Sequence, residues 1–249
     1  MNLKIFILPA FFFPFFAAAQ NLTAHYRVTQ TVKFSGQETS VQLSGTLWRK
    51  GNTYLYVERP EYLQKYPDGN ISISTGNNGL AAYRLNMDTV QSLSRVNYDS
   101  LITQFKIDSW WDTDPSSIKN VRQPFESDCK EWEILPETKV INGLTCQKAI
   151  NNAPDGTRQF EIWFTSDIPM QSGIEGTIGV PGLVVEATCV PLLKRYILES
   201  YSNEQMLTDT EMWPIAFNKP FMDYPPLRKE QKTKPNRIKK QLDVSNSNQ

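Results

Sequence analysis

Apolar and polar residues alternate with a period of two along most of this chain, the pattern of strands that bury one face. From His25 to Phe34, Tyr26, Val28, Val32 and Phe34 share one side, with Arg27, Thr29, Thr31 and Lys33 on the other. Gln30 is the one polar residue on the apolar side. Val41 to Arg49 and Thr53 to Glu58 predict a hairpin across Lys50-Gly51-Asn52. Ile71 to Ser74 and Leu80 to Leu85 continue the pattern around Gly76 to Gly79. Glu131 to Ile134 resumes it after a gap. Lys139 to Ile141 and Leu144 to Ala149 then flank Asn142-Gly143, the strongest short-range hairpin signal in the chain. Thr157 to Phe164 is entered through Pro154-Asp155-Gly156, and Leu183 to Val190 and Lys194 to Ser200 complete the series. Three stretches read differently. Val90 to Ile107 fits either a short helix or further strands, Trp110 to Asn120 is a loop by composition, and Met206 to Phe217 fits a short helix or turn.

Many short strands with close hairpin turns and few helices predict a mainly β chain, or a β-rich α+β one, built on a curved antiparallel sheet. The segment G-T-L-W-R-K-G-N-T-Y-L-Y-V-E-R-P, Gly45 to Pro60, is similar to the strand-turn-strand of periplasmic lipoprotein-carrier half-barrels. That likeness implies an open half-barrel with an apolar concave face.

The ends of the chain differ from its body. Lys4, the apolar run Ile5 to Phe16 and Ala17-Ala18-Ala19 have the order of a secretory leader cleaved before Gln20. The run is interrupted by Pro9 and Pro14 and falls short of the ~20 residues a membrane span needs. No Cys follows it, so lipid attachment of the lipobox type is not expected. Residues 20–226 are then one β-rich domain. Residues 227–249 hold seven basic and two acidic residues without apolar periodicity, and read as a disordered tail. The 26 basic and 26 acidic residues balance over the chain, but residues 20–226 carry 18 and 24, a net charge of −6. An acidic body argues against nucleic acid as a partner. No transmembrane span is expected in the mature chain.

The stretch Glu161 to Glu186 holds the most specific pattern. Trp163-Phe164-Thr165-Ser166-Asp167-Ile168-Pro169 precedes Gly179-Val180-Pro181-Gly182-Leu183-Val184. Val180-Pro181-Gly182-Leu183 predicts a type II turn with Gly182 at positive φ, followed by the buried strand Leu183-Val184-Val185. Together with Lys139-Val140-Ile141-Asn142-Gly143 and Cys146-Gln147-Lys148-Ala149, these blocks resemble the GLPGLI family of secreted bacterial proteins. Val180 and Val184 stand where that family has Leu and Ile, and Gly173-Ile174-Glu175 where it often has Gly-Pro. The resemblance implies a periplasmic or secreted protein without an established activity. It implies architectural roles for Trp163, as one buried Trp, and for Ile168, Pro169 and the six residues Gly179 to Val184.

Little catalytic chemistry stands out. The single histidine, His25, is placed by the strand pattern on a solvent face, and a multi-His zinc site is impossible. No metal or cofactor is expected. Cys129, Cys146 and Cys189 allow three disulfide pairings in an exported protein, or none. Trp110-Trp111 offer a surface for a sugar or peptide, one ring in the core and at most one exposed. Carboxylates cluster at Asp112, Asp114, Glu126 and Asp128, and near the signature at Glu161, Asp167, Glu175 and Glu186. The first expectation is a non-enzymatic binding or accessory protein of the envelope, holding a peptide, a lipid or an outer-membrane partner. The alternative is a carboxylate-dependent hydrolase of glycans or peptides. It requires two carboxyl groups within ~5–10 Å facing one cleft.

Overall fold

The computed structural model describes residues 21–34, 37–75, 79–107, 119–124, 132–171, 173–203 and 207–223. The expected leader, Trp110, Trp111, Cys129, the carboxylates Asp112, Asp114, Glu126 and Asp128, and the basic residues 227–249 lie outside them.

Among the described residues fourteen strands form, in order β1 (Leu22–Phe34), β2 (Gln37–Lys50), β3 (Thr53–Pro60), β4 (Asn70–Thr75), β5 (Gly79–Arg84), β6 (Ser92–Asn97) and β7 (Ile102–Ile107). There follow β8 (Lys119–Pro124), β9 (Glu133–Ile141), β10 (Leu144–Asn152), β11 (Arg158–Thr165), β12 (Leu183–Cys189), β13 (Lys194–Ser202) and β14 (Phe221–Asp223). One sheet holds twelve of them in the order β14-β8-β7-β6-β3-β2-β1-β13-β12-β11-β10-β9, with β4 and β5 pairing as a separate hairpin. Every ladder in the large sheet is antiparallel except β14 on β8. Its edge strands do not meet, so the sheet stays open. Bulges at His25/Tyr26 and Trp163/Phe164 bend the strands, as an extra residue on one side of a ladder does.

Val90 to Ile107 resolves into β6 and β7, and Lys119 and Asn120 belong to β8, not to the preceding loop. A single apolar residue in K-N-V-R-Q-P hid that strand. The two predicted pieces on either side of Pro136 form one strand, β9. Proline is tolerated there because β9 is an edge and no neighbour needs its missing N–H. Asn142 and Gly143 sit at φ 50° and 80°, the two left-handed positions of a type I′ turn. Helix among the described residues is limited to 3₁₀ turns at Tyr62–Gln64, Ile174–Gly176 and Ile215–Asn218.

The sheet buries both faces. On the inner face Tyr26, Val28, Leu43, Tyr56, Ile162 and Tyr196 form the main core. Residues 166–171 and 173–182 fold back into that face and add Met170, Ile174, Ile178 and Val180, all 3% exposed or less. On the outer face Leu55, Val57 and Leu93 pack under Met212 and Phe217 from the segment 207–221. Strand alternation therefore sends Tyr54, Tyr56 and Glu58 inward and Leu55 and Val57 outward, which is why β3 is buried almost throughout.

Candidate functional site

Glu58 ends the inward row of β3 and is completely buried. A carboxyl group out of reach of water requires partners, and it has them. Lys194 Nζ lies 2.5 Å from its Oε1, and the Tyr56 hydroxyl donates to its Oε2 at 3.0 Å. Gly45, the β2 residue opposite Glu58, makes room for this arrangement. A Cβ at Gly45 would stand 2.5 Å from the Tyr56 hydroxyl. A second carboxylate comes from the signature segment. Glu175 Oε1 accepts from Lys194 Nζ at 2.9 Å and from the Tyr196 hydroxyl at 3.0 Å, and its Oε2 accepts from Ser92 Oγ at 3.1 Å. Glu175 holds a left-handed backbone, φ 47° and ψ 33°, uncommon for a residue with a side chain.

One ammonium thus bridges two carboxyl groups, and their environments separate them. Burial pushes Glu58 up to about 7, helped by the Glu175 charge and only partly offset by Lys194. Burial also acts to raise Glu175. The Lys194 charge, with hydrogen bonds from Lys194, Tyr196 and Glu58, outweighs it and holds Glu175 below the usual carboxylate range. Lys194 is raised: burial works against its charge, but the two carboxyl groups prevail. Burial pushes the Tyr56 and Tyr196 hydroxyls well above the ordinary tyrosine value, so both remain donors. The two carboxyl groups are thus driven apart, Glu58 upward and Glu175 downward.

A cleft of about 530 Å³ opens above this network, between the end of β1, the segment Arg84–Ser92 and the β12–β13 turn. Lys194 and Glu175 belong to its lining; Glu58 does not. Gln30, Val41 and Lys194 sit side by side across β2, β1 and β13, because Gln30 pairs with Val41 on one flank and with Lys194 on the other. The one polar interruption in the apolar row of β1 therefore faces the cleft. Val32, Val41, Leu85, Leu192 and Leu193 supply apolar lining, and Arg84, Gln91 and Lys106 polar lining. Lys106 is tied to Asp88 at 2.6 Å. Arg84 is exposed and has no ion pair among the described residues.

The signature segment is pinned at several points. Trp132 Nε1 donates to the Ile178 carbonyl at 2.9 Å, Tyr26 to the Val184 carbonyl at 2.8 Å, and Arg49 to the Pro169 carbonyl at 2.8 Å. Ile168 packs against the core, and its carbonyl accepts from the Leu183 N–H at 3.0 Å. Val180, Leu183 and Val184 are buried, and Gly179 and Pro181 exposed. Gly179, not Gly182, takes positive φ, at 87°, so the expected type II turn is absent. Gly182 serves a different need: a Cβ there would lie 2.1 Å from the Thr165 carbonyl oxygen. Trp163 is half-buried, not buried as expected, because it alternates with Ile162 and Phe164. Lys139 stacks on its ring at 4.3 Å.

The remaining expected residues scatter. His25 is exposed, within 3.4 Å of Thr46 Oγ1. Glu161 pairs with Lys148 and Glu186 with Lys139, both at the surface of the outer face. Asp167 lies in an exposed turn. Cys146 and Cys189 are buried thiols on β10 and β12. With β11 between them their strands are roughly 9–10 Å apart, beyond the ~7 Å a disulfide spans, so that pairing is excluded. Of the carboxylates expected near the signature, Glu175 alone enters the network. Sequence reasoning missed Glu58, Lys194, Tyr56, Tyr196 and Arg84. The available signal was phase: Glu58 continues the row of Tyr54 and Tyr56, and Lys194 that of Tyr196 and Leu198.

No helix among the described residues is long and apolar enough to cross a membrane. Among those residues no cluster of His, Cys, Asp and Glu is placed to hold a metal ion. No family model matches the chain, and no curated protein matches it. Solved structures are similar to it in part. PNGF-II, in two crystal forms, is similar over 81% and 82% of this chain at 16% and 13% identity, with TM-scores of 0.44 and 0.45. A DUF1329 family protein from Desulfovibrio piger is similar over 79% of this chain and 90% of its own, at 10% identity and a TM-score of 0.24. The chain spans 31% of the length of PNGF-II, and likeness at these scores assigns neither family nor activity.

Proposed function

We propose that this chain is an exported binding or accessory protein of the bacterial envelope, of the GLPGLI kind, and that its ligand occupies the cleft above Lys194 and Glu175. The observation that carries this reading is the cleft itself. Its volume falls within the range of small-molecule sites, and its lining sets the apolar Val32, Val41, Leu85, Pro191, Leu192 and Leu193 among a larger number of polar and charged residues, of which Lys194 and Glu175 are held from below by a hydrogen-bond network. The GLPGLI resemblance and the leader-like first nineteen residues support the compartment.

The hydrolase reading has one observation in its favour. Burial pushes Glu58 up while Lys194 and Tyr196 hold Glu175 down, the kind of separation acid–base pairs show. Their placement argues against it. Glu58 is fully buried, does not line the cleft, and has both oxygens engaged. A general acid must reach its substrate, and Glu58 reaches only Lys194, Tyr56 and Glu175. The pair fastens the signature segment to the sheet.

The test is mass spectrometry of small molecules co-purified with the protein from the envelope fraction of its host. A reproducible ligand is expected, and it should be lost in Leu192→Glu, a change at an exposed position of the cleft wall. Hydrolysis of a glycan or peptide that disappears in Glu175→Gln, with folding intact, would overturn the binding reading. N-terminal sequencing of the same sample should begin at Gln20. Recovery with Met1 in place refutes the cleaved leader.

A further inference from the structure

The cleft has a chemical asymmetry that narrows its ligand. One side is a lip of apolar residues on the β12–β13 turn: Val190, Leu192 and Leu193 are 39%, 44% and 39% exposed. Of these, Leu192 and Leu193 line the cleft, and they continue inward to Val32, Val41 and Leu85. Clustered apolar side chains exposed at a concave site mark a place that another apolar surface covers. The other side carries cations. Lys33 is paired with Glu38 at 2.6 Å and Lys106 with Asp88. Arg84 has no acidic partner among the described residues. At the floor, Lys194 is 7% exposed and holds three N–H donors. Glu58 and Glu175 accept two of them, and the third has no acceptor among the described residues.

An unfilled ammonium donor in a nearly dry floor and an uncompensated guanidinium at the wall both select an acceptor that carries negative charge. The planar fork of Arg84 matches a carboxylate in particular. We infer that the cleft binds a monoanionic amphiphile, an alkyl chain ending in a carboxylate. Its chain lies along Leu192, Leu193, Val32 and Val41, and its head group meets Arg84 and the free N–H of Lys194. This assignment rests on the cleft being the binding site, as proposed above. A neutral chain satisfies the lip and leaves the donors bare. A cationic one brings like charge to Arg84 and Lys194, and the one carboxylate in the lining, Glu175, is already engaged by Lys194, Tyr196 and Ser92.

Calorimetric titration of the full chain, purified and stripped of lipid, tests this with decanoate, decanol and decylamine below their aggregation concentrations. Decanoate is expected to bind at least about tenfold more tightly than either of the others, the worth of one or more charge-assisted hydrogen bonds. Arg84→Gln should lower decanoate affinity about tenfold, leave decanol binding unchanged, and leave the melting temperature unchanged because the side chain is exposed. Leu192→Glu should weaken both ligands. Decanol or decylamine binding as tightly as decanoate overturns the head-group assignment, as does an Arg84→Gln variant with wild-type affinity. If none of the three binds while a co-purified polar molecule does, in a manner sensitive to Leu192→Glu, the amphiphile fails and the cleft stands as the site. If neither binds, both inferences fail together.

Discussion

Gly182 shows how a position can require glycine for a different physical reason than its turn chemistry implies. Val-Pro-Gly-Leu calls for positive φ, yet the constraint is the approach of the Thr165 carbonyl to within 2.1 Å of where a Cβ would stand. That oxygen belongs to backbone and cannot swing aside. Gly182→Ala should therefore destabilise by about 3 kcal/mol or more, through forced separation of β11 and β12. Pro181, exposed beside it, acts only on the unfolded chain, and Pro181→Ala should cost about 1 kcal/mol or less. Urea unfolding midpoints distinguish the two, and equal costs refute the steric account. Glu58 carries a second prediction. Its folded value, about 7, lies above the ordinary 4.5. Its contribution to stability is then fully present below about pH 4.5 and is lost as pH rises through 7. Glu175, held below its ordinary value, contributes above that value and loses its contribution as pH falls through the lowered one. Stability should peak at mildly acid pH, and Glu58→Gln should flatten the decline between pH 5 and 8. Unfolding free energies measured across that range check it. An unchanged slope in Glu58→Gln assigns the decline to other groups.

At the scale of elements, the segment between β11 and β12 behaves as a plug. Among its described residues it has one 3₁₀ turn and a few internal backbone bonds, from the Gly173 N–H to the Thr177 carbonyl and from the Gly179 N–H to the Gln171 carbonyl, but no strand or α-helix. It is held by the burial of Met170, Ile174, Ile178 and Val180, by donors from Trp132 and Arg49, and by the ion pair of Glu175 with Lys194. Burial supplies roughly 1.5–3 kcal/mol per large apolar side chain, while Glu175 sets where the segment lies. Glu175→Ala removes the acceptor of Tyr196 and one partner of a buried cation, at a cost of about 3–5 kcal/mol. Amide hydrogen exchange should then quicken across residues 166–182 more than in β1, β2 or β13. Uniform quickening throughout the sheet would show that the segment and the sheet open as one unit. β9, an edge of the large sheet, carries residues that discourage pairing with another chain. Pro136 and the charged Glu133, Glu137 and Lys139 blunt an edge that would otherwise offer free backbone groups to another chain.

For the molecule as a whole, an open sheet of twelve strands must cover two faces, and distant parts of the chain do so. The plug fills the inner face. The segment 207–221 crosses the outer one, tied by Lys50 and Arg95 to the carbonyls of Leu207 and Met212 and by Asn120 to that of Ala216. Phe217, 2% exposed, packs with Leu55, Val57 and Leu93 and meets Phe221 at a ring-centroid distance of 5.3 Å. Phe217→Ala should cost about 3–5 kcal/mol. It should also raise binding of an apolar dye, since Leu55 and Val57 lose their cover. A cost below 1 kcal/mol, with no added dye binding, would mean that this segment does not shield the sheet.

The sequence alone determined the strands and most of their turns, because side-chain alternation and turn chemistry are local. Tyr26, Val28 and Val32 announce the inner face of β1, Asn142-Gly143 the β9–β10 hairpin, and Gln30 the one polar gap in an apolar row. It carried the mainly β class, the antiparallel pairing and the open sheet. Tertiary structure alone decided what Gln30 is for. Pairing set it beside Val41 and Lys194, residues 11 and 164 positions away, at the floor of a cleft. Nor does any local pattern announce that Glu58 shares Lys194 with Glu175, since the three lie on β3, β13 and the plug and meet only once the sheet has ordered β3-β2-β1-β13. The same holds for Gly182, whose requirement comes from a carbonyl on another strand. Local rules read positions against their neighbours in sequence; the network, the cleft and the steric demand are made by neighbours in space.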